Sequence, residues 1–315
     1  LLGVVLVSGM AYSTFNYFTS PEYQRDNFAQ VGADLAREML PGDAIVFSPA
    51  HMIRLYQHYL PVDALEEATR AATGEPQRPW AALPLLHGSL EDTQARLQAL
   101  LSQHRRVWLV ASGMVPLTSF QEETREWPGE NGFLARDLQY PSNTLLWLKL
   151  YLPEPPILDA LPADVAQRVT VAFGDKIRLD GYDVGTALNA QSSIPITLYW
   201  QPLEKLERRY KYVLRLVSVG ADGALRTVAQ TDQEPYQGSL PTTWWSPGPE
   251  IFEIVALPRL KAFDLNDATL RLALELYDAE TLEKLRVTGA PSGATLLDET
   301  TVLMPFKPEQ DGARN

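Results

Sequence analysis

Short runs in which apolar and polar residues alternate recur through the second half of the chain. They occupy 176–184, 194–200, 210–219, 225–232, 250–257 and 269–278, with weaker runs near 282–287 and 299–304. Turn-forming pairs separate them at Asp222-Gly223, Pro247-Gly248 and Asn266-Asp267. A period of two, broken by turns at this spacing, is typical of antiparallel strands. We therefore predict an antiparallel β-sandwich, of jelly-roll or immunoglobulin-like type, over residues 175–306. The alternation changes phase at Leu216 and Val217, which predicts either a bulge or a strand buried on both faces.

The first half of the chain mixes helical and strand-like patterns. One stripe has the spacing of an amphipathic helix and consists of Phe28, Val31, Leu35 and Met39. Ser89 and Asp92 resemble a capping box that opens a second helix, and we expect a short helix near 133–138. Nearly all-apolar runs lie at 43–47, 107–111 and 144–151. Such runs are typical of parallel strands covered on both faces, so we predict a small three-layer α/β, Rossmann-like domain over 20–152.

Prolines separate the two halves. They cluster at Pro153, Pro155, Pro156 and Pro162, and proline interrupts both helices and internal strands. The pattern predicts a proline-rich linker over 153–174, and the polar C-terminus predicts a disordered tail over 307–315.

The N-terminus is apolar, and its first charged residue is Glu22. An apolar run to Ala11 is followed by aromatic residues at Tyr12, Phe15, Tyr17 and Phe18. This run is shorter than the roughly 20 residues that cross a bilayer, but aromatic residues just after an apolar run are typical of a membrane interface. We predict the end of a transmembrane helix over 1–19. A clipped signal peptide and a buried core helix are the open alternatives.

Composition and charge narrow the classes of function. The net charge of −12 argues against nucleic-acid binding, which needs clustered Lys and Arg, and against a polybasic membrane-surface role. The absence of cysteine excludes disulfides, thiolate metal sites and cysteine nucleophiles. The sequence lacks a GxGxxG or Walker A motif, so we predict no cofactor. His51 and His58 lie seven residues apart, whereas a helical metal pair prefers a spacing of four, so no metal or catalytic residue is predicted.

An aromatic cluster is the candidate binding site. It consists of Tyr199, Trp200, Tyr236, Trp244 and Trp245. Flat aromatic rings at one edge of a sandwich can stack on the apolar face of a sugar, which makes a glycan the candidate ligand. The alternative is that these rings belong to the core, because large aromatic residues dominate sandwich cores.

Several phrases of the sandwich resemble a known family. They are DKIRLDGYDV (175–184), IPITLYWQP (194–202), VAQTDQEPYQGSLPTTWWSPG (228–248) and LALELYDAETLEKL (272–285). These phrases resemble the extracytoplasmic C-terminal β-sandwich of bacterial multi-spanning membrane glycosyltransferases related to the dolichyl-phosphate-mannose protein mannosyltransferases. Shorter pieces of the first half are similar to the same family, at 23–26, 41–49 and 105–113.

The resemblance implies a location and a function. It implies a non-catalytic region, anchored through its N-terminal segment on the extracytoplasmic face of a bacterial cell membrane. The parent enzyme would use a polyprenyl-phosphate-linked sugar donor, and the region would aid acceptor or glycan recognition. The family's catalytic acids lie in an early loop with no counterpart here, so no catalytic residue is carried over. The alternative is a secreted or membrane-attached carbohydrate-binding or interaction protein without enzymatic activity. A hydrolase with an unrecognised site is a third interpretation.

Overall fold

The chain folds into two compact units. A computed structural model describes residues 2–19, 27–56, 58–60, 80–83, 89–113, 119–140, 145–188, 192–260 and 263–308. One unit comprises Leu1–Ala36 with Gly42–Pro153, and the other comprises Arg37–Pro41 with Glu154–Asn315. The described residues contain more strand than helix, so this part of the chain is mainly β.

The N-terminal half carries the α-helices of the described residues and one sheet. The helices are α1 (Leu2–Thr19), α2 (Phe28–Glu38), α3 (Met52–Tyr56), α4 (Leu90–Gln103) and α5 (Ser119–Asn131). The strands are β1 (Ala44–Ser48), β2 (Trp80–Ala82), β3 (Val107–Ser112), β4 (Phe133–Tyr140) and β5 (Leu146–Leu152). The sheet has the order β2-β1-β3-β5-β4.

The pairing directions in this sheet contradict the predicted Rossmann-like domain. Strand β1 pairs in parallel with β2 and β3, but β5 is antiparallel to both β3 and β4. The short helix expected near 133–138 is instead part of β4. Only residues 141–145 separate β4 from β5, and a parallel crossover needs about a dozen residues or more, so these strands can pair only as a hairpin. The three-layer, parallel α/β prediction is therefore wrong.

Helix α4 packs on the sheet as its apolar positions require. The predicted capping box is confirmed, because the Ser89 side chain accepts from the Asp92 amide and the Asp92 carboxylate accepts from the Ser89 amide. Leu97, Leu100 and Leu101 are buried in one core cluster with β1 and β3. Both of those strands are buried along their whole length.

The second unit is an antiparallel β-sandwich, which confirms that prediction. Its strands are β6 (Ile157–Leu158), β7 (Gln167–Phe173), β8 (Ile177–Val184), β9 (Ile194–Pro202), β10 (Tyr210–Val219), β11 (Leu225–Gln233), β12 (Glu250–Leu257), β13 (Leu270–Asp278), β14 (Val287–Ser292), β15 (Thr295–Leu296) and β16 (Thr301–Pro305). One sheet has the order β14-β7-β8-β9-β12-β6 and the other β11-β10-β13-β16-β15. The register between β10 and β11 shifts between Leu216 and Val217, so the predicted bulge is present.

Side chains from both sheets meet in the sandwich core. The Tyr212 hydroxyl of β10 donates to Glu253 of β12 at 2.8 Å. The rings of Trp200 and Tyr212 lie 5.8 Å apart between centroids. The Tyr182 hydroxyl of β8 donates to the backbone oxygen of Pro305 in β16 at 2.6 Å. These contacts tie the two sheets face to face through polar groups as well as apolar ones.

Two predicted segments look different in the structure. The stretch 153–174, predicted as a linker, carries β6 and β7, which pair with β12, β8 and β14. Residues 2–19, within the segment predicted as the end of a transmembrane helix, form α1, and no helix in the described residues has the length and apolarity that crossing a membrane requires. Within the predicted tail, 309–315 lie outside the described residues.

Candidate functional site

Four connections meet at one end of the sandwich, which we call the loop end. They are the β7–β8 turn (174–176), the β9–β10 loop (203–209), the β11–β12 loop (234–249) and the β13–β14 loop (279–286). Backbone hydrogen bonds of 2.8 Å join neighbouring loops, from Leu203 N to Lys176 O, from Gly174 N to Arg286 O and from Ala279 N to Arg209 O. Because loops on a rigid sandwich are where binding residues concentrate, this end is the candidate site.

The structure separates the five predicted aromatic residues. Four of them are buried in the sandwich: Tyr199, Trp200, Tyr236 and Trp245. Trp244 alone of the five is exposed, with 67% of its surface accessible, whereas its neighbour Trp245 is 2% exposed. The five rings therefore do not form the shared open edge that a sugar could stack on, and the core interpretation describes four of them.

Hydrogen bonds hold the buried rings in place. The Tyr199 hydroxyl donates to Asp183 at 2.9 Å. The Tyr236 hydroxyl donates to the backbone oxygen of Phe252 at 2.9 Å, and the Trp245 indole to that of Leu240 at 3.2 Å. A buried tyrosine or tryptophan needs such a partner for its polar atom. These side chains are thus structural anchors of the sandwich and of the β11–β12 loop.

A buried carboxyl that the sequence prediction missed holds the β11–β12 loop. Glu253 is 1% exposed, and its Oε1 accepts from the Tyr212 hydroxyl (2.8 Å), the Gln233 side-chain amide (2.9 Å) and the Tyr236 backbone amide (2.9 Å). Burial raises the pKa of Glu253 to about 7, against the lowering effect of these hydrogen bonds. The signal was present in the sequence, because Glu253 has the inward phase of Ile251 and Val255 in β12.

The bond from Glu253 reaches a strained part of the loop. Tyr236 and Gln237 adopt positive φ angles of 49° and 53°, a left-handed conformation that is uncommon for residues other than glycine. Such a conformation persists only where surrounding contacts enforce it. The amide and hydroxyl of Tyr236 are both bonded to β12, so this segment of the loop is fixed to the sandwich at two points.

A second carboxyl with a raised pKa lies at the start of β12. Burial raises the pKa of Glu250 to about 7, and the neighbouring Asp180 raises it further. Arg178 donates to Asp180 at 2.8 Å and also to Gln201. Glu250 and Glu253 are three residues apart and therefore point to opposite faces of the sheet, so they do not form a pair for acid–base chemistry.

A polar cleft of about 780 Å³ opens at the loop end. Five basic and five acidic side chains line it, so its walls are balanced in charge. Lys176 pairs with Glu204 at 2.5 Å, and Arg208 pairs with Asp278 at 2.9 Å. Amides of the β13–β14 loop and Arg208 hold the pKa of Asp278 at about 2, so that carboxylate is ionised at neutral pH.

Trp244 lies beside the cleft on a tightly bonded turn. Its amide donates to Pro241 O at 2.9 Å. The cleft residue Lys205 donates from its Nζ to the backbone oxygens on either side of Trp244, those of Thr243 (2.7 Å) and Trp245 (3.3 Å). The loop end therefore presents an exposed indole on a fixed backbone next to a polar cleft.

Metal ligands were not predicted, and the described residues bring no group of three or more His, Asp or Glu side chains into a geometry that could hold a metal ion. His51 and His58 both fall in the N-terminal half, where the His58 ring packs edge-on against Tyr59 with centroids 5.2 Å apart. That contact is a surface packing interaction, not a ligand geometry.

Comparison with known proteins shows distant structural likeness and no similarity to a curated sequence or family. No protein-family profile matches the chain, and no curated protein is significantly similar to it. Among solved structures, it is similar to a domain of the outer membrane lipoprotein Omp28 from Porphyromonas gingivalis, with 13% sequence identity and a TM-score of 0.24. The match covers 47% of this chain and 95% of that one. A likeness at this score assigns neither a family nor a function.

Proposed function

We propose that the chain is the non-catalytic extracytoplasmic region of a bacterial membrane glycosyltransferase that takes its sugar from a polyprenyl-phosphate donor. In this proposal the sandwich recognises the acceptor or another glycan. The observation that carries it is the loop end, where an exposed indole on a fixed turn lies beside a polar cleft. Concave sites on rigid scaffolds are typical of binding modules.

The phrases that resemble the glycosyltransferase family support the proposal by their positions. The phrase 228–248 forms most of the β11–β12 loop, including Trp244, and the phrase 272–285 ends in the β13–β14 loop that lines the cleft. The phrases 175–184 and 194–202 form β8 and β9, which lead into the other two connections. The family resemblance and the candidate site thus rest on the same part of the molecule.

The state of the carboxyl groups supports a non-catalytic role. Glu253, whose pKa near neutrality would suit a general acid or base, is enclosed between the sheets and bonded to three structural partners. Asp278 in the cleft is held ionised by Arg208 and by loop amides. Glu253 and Asp278 therefore both interact with groups of the protein itself, as expected for structural carboxyls.

The test compares the sugar-transfer activity of the purified 315-residue chain with that of the natural polypeptide from the bacterium. An affinity tag fused to the natural polypeptide in the producing bacterium recovers it from the membrane fraction. We expect the recovered protein to transfer sugar from a polyprenyl-phosphate donor, and the purified 315-residue chain to transfer none. Turnover by the purified chain, lost on substitution of one Asp or Glu, would show that the region is itself catalytic.

The location of the tagged product separates the proposal from its alternative. Recovery of the tag only in soluble, inactive protein outside the membrane would contradict the glycosyltransferase assignment. That outcome would favour a secreted binding protein. A tagged membrane protein without transfer activity on any polyprenyl-phosphate sugar would contradict it as well.

A further inference from the structure

Trp244 is an exposed ring whose backbone cannot move freely. The Thr242 hydroxyl donates to Arg208 O at 2.9 Å and accepts from the Tyr210 amide at 2.9 Å. Lys205 bonds the carbonyls on either side of Trp244, and Trp245 anchors the turn in the core. Ordering a flexible loop weakens binding, so a ring presented on a preformed turn binds at a lower entropic cost.

The neighbouring cleft has the size of a ligand site. Its volume of about 780 Å³ falls within the range of about 300–1,000 Å³ that small-molecule pockets occupy. It is lined by three of the four connections of the loop end, and backbone hydrogen bonds join those connections to one another. Lys205 both lines the cleft and holds the turn of Trp244, so the ring and the cleft are parts of one surface.

The charges of the cleft indicate the chemistry of its ligand. With five basic and five acidic side chains in its lining, its formal charges cancel and neither sign is in excess. Several of its charges are already paired, as in Lys176 with Glu204 and Arg208 with Asp278. A ligand that only donates or only accepts hydrogen bonds would leave half of these groups unused. Hydroxyl groups do both.

We propose that Trp244 and the cleft together bind a short neutral oligosaccharide. The indole face covers the apolar C–H face of one sugar ring, and the charged side chains of the cleft exchange hydrogen bonds with the hydroxyls of its neighbours. This inference rests on the proposed function, because it names the ligand of the same loop end. The proposed site contains one of the five predicted aromatic residues, Trp244, together with the polar cleft.

Titration by NMR tests the inference on the whole chain. The probes are mannotriose, cellotriose and chitotriose as neutral ligands, an oligogalacturonate as the anionic ligand and a chitosan trimer as the cationic one. The indole signal that is absent from the Trp244→Ala spectrum identifies Trp244. We expect at least one neutral probe to shift that signal and the amides of 204–208 and 283–286. Stacking on one ring predicts a dissociation constant on the order of 1 mM.

Variants separate binding from folding. Trp244→Ala should weaken binding about tenfold, the cost of one stacking contact, with an otherwise unchanged amide spectrum. The matched control is Leu260→Ala. Leu260 is an exposed apolar residue that follows β12, at the end of that strand away from the loop end, so the variant should bind the sugar with wild-type affinity.

A second variant tests the cleft. Glu207→Ala with Glu283→Ala removes two cleft acceptors and should weaken binding about fivefold. Glu154→Ala with Asp159→Ala removes two exposed carboxylates outside the cleft lining and is the control for charge.

Three results would overturn the inference. They are no shift at the loop end with any neutral probe, equal affinity in Trp244→Ala and wild type, and tighter, salt-sensitive binding of a charged probe. Binding of a neutral sugar should be almost independent of salt, because no net charge is screened. The membrane-fraction assay uses none of these probes. A lack of saccharide binding beside intact transferase activity therefore contradicts only this inference, and the reverse result contradicts only the proposed function.

Discussion

Two inner strands of the first unit and several strands of the sandwich bury their residues in different ways. In β1 and β3 every residue is buried, whereas sandwich strands such as β7 and β12 alternate between buried and more exposed positions. An alternating strand reveals in its sequence which face is inward and where its turns lie. A wholly apolar strand reveals only that it is covered on both sides. The sandwich was therefore predicted correctly. The prediction for the first unit failed at β4, which was expected to be a helix near 133–138, and at β5, which pairs antiparallel with both β3 and β4.

The largest expected effect is in the core of the sandwich and compares two adjacent residues. Trp245→Ala should reduce the free energy of unfolding by about 4 kcal/mol, because it leaves a large cavity. It also frees the Leu240 carbonyl that the indole satisfies. Trp244→Ala should change it by less than about 0.5 kcal/mol, since that side chain is exposed. Chemical denaturation followed by tyrosine and tryptophan fluorescence measures both. Equal losses would mean that the two rings share one environment.

A comparable loss is expected from a buried charge in the first unit. Asp43 pairs with Arg106 at 3.2 Å and accepts from the Trp108 indole at 2.8 Å, and all three side chains are buried. Asp43→Ala removes the buried Arg106–Asp43 ion pair, which should cost about 3 kcal/mol. Calorimetry should show a lowered transition for the first unit beside an unchanged sandwich transition. A shift of both transitions together would show that the two units unfold as one.

The buried carboxyls make the stability of the sandwich depend on pH. The pKa of Glu253 is raised from 4.5 to about 7 by burial, so the folded state keeps a proton that the unfolded state has lost. Stability is then greatest below pH 4.5, falls as the pH rises towards 7, and is lower by about 3 kcal/mol above it. Glu253→Gln should flatten this profile. Denaturant melts of the wild type and the variant at several pH values measure the difference.

The profile of that variant should not become completely flat. Burial also raises the pKa of Glu250 to about 7, and its contribution has the same sign. If the stability of Glu253→Gln falls with pH as steeply as that of the wild type, the pH dependence comes from a group other than Glu253. A wild type that gains stability between pH 5 and 8 would contradict the raised values for both groups.

The smallest effect is expected at the start of α4. Ser89→Ala removes the side chain that accepts from the Asp92 amide and should destabilise the first unit by about 1 kcal/mol. Ser102→Ala is the matched control, because its hydroxyl bonds only to a carbonyl inside the same helix and alanine suits helix interiors. A loss of equal size in both variants would show that capping is not the cause.

The sequence also predicted only part of the candidate site. Of the five predicted aromatic residues, Tyr236, Trp244 and Trp245 lie in the β11–β12 loop of the loop end. The sequence could not distinguish Trp244 from Trp245, because neighbouring residues in a turn have no periodicity that separates inside from outside. The cleft could not be predicted at all. Its walls come from loops that are far apart in sequence and that meet only because the strands between them pair.

Local patterns in the sequence determined the sandwich strands, the bulge in β10, the capping box of α4 and the absence of cysteine chemistry. Each depends on residues that are close in sequence, and alternation, phase and side-chain type carry that information. The antiparallel return of β5, the burial of Glu253 and the exposure of Trp244 were decided by the tertiary structure. These features depend on which distant segments become neighbours. Pairing direction and solvent access are set by the packing of whole elements, and a side chain's pKa follows from that packing.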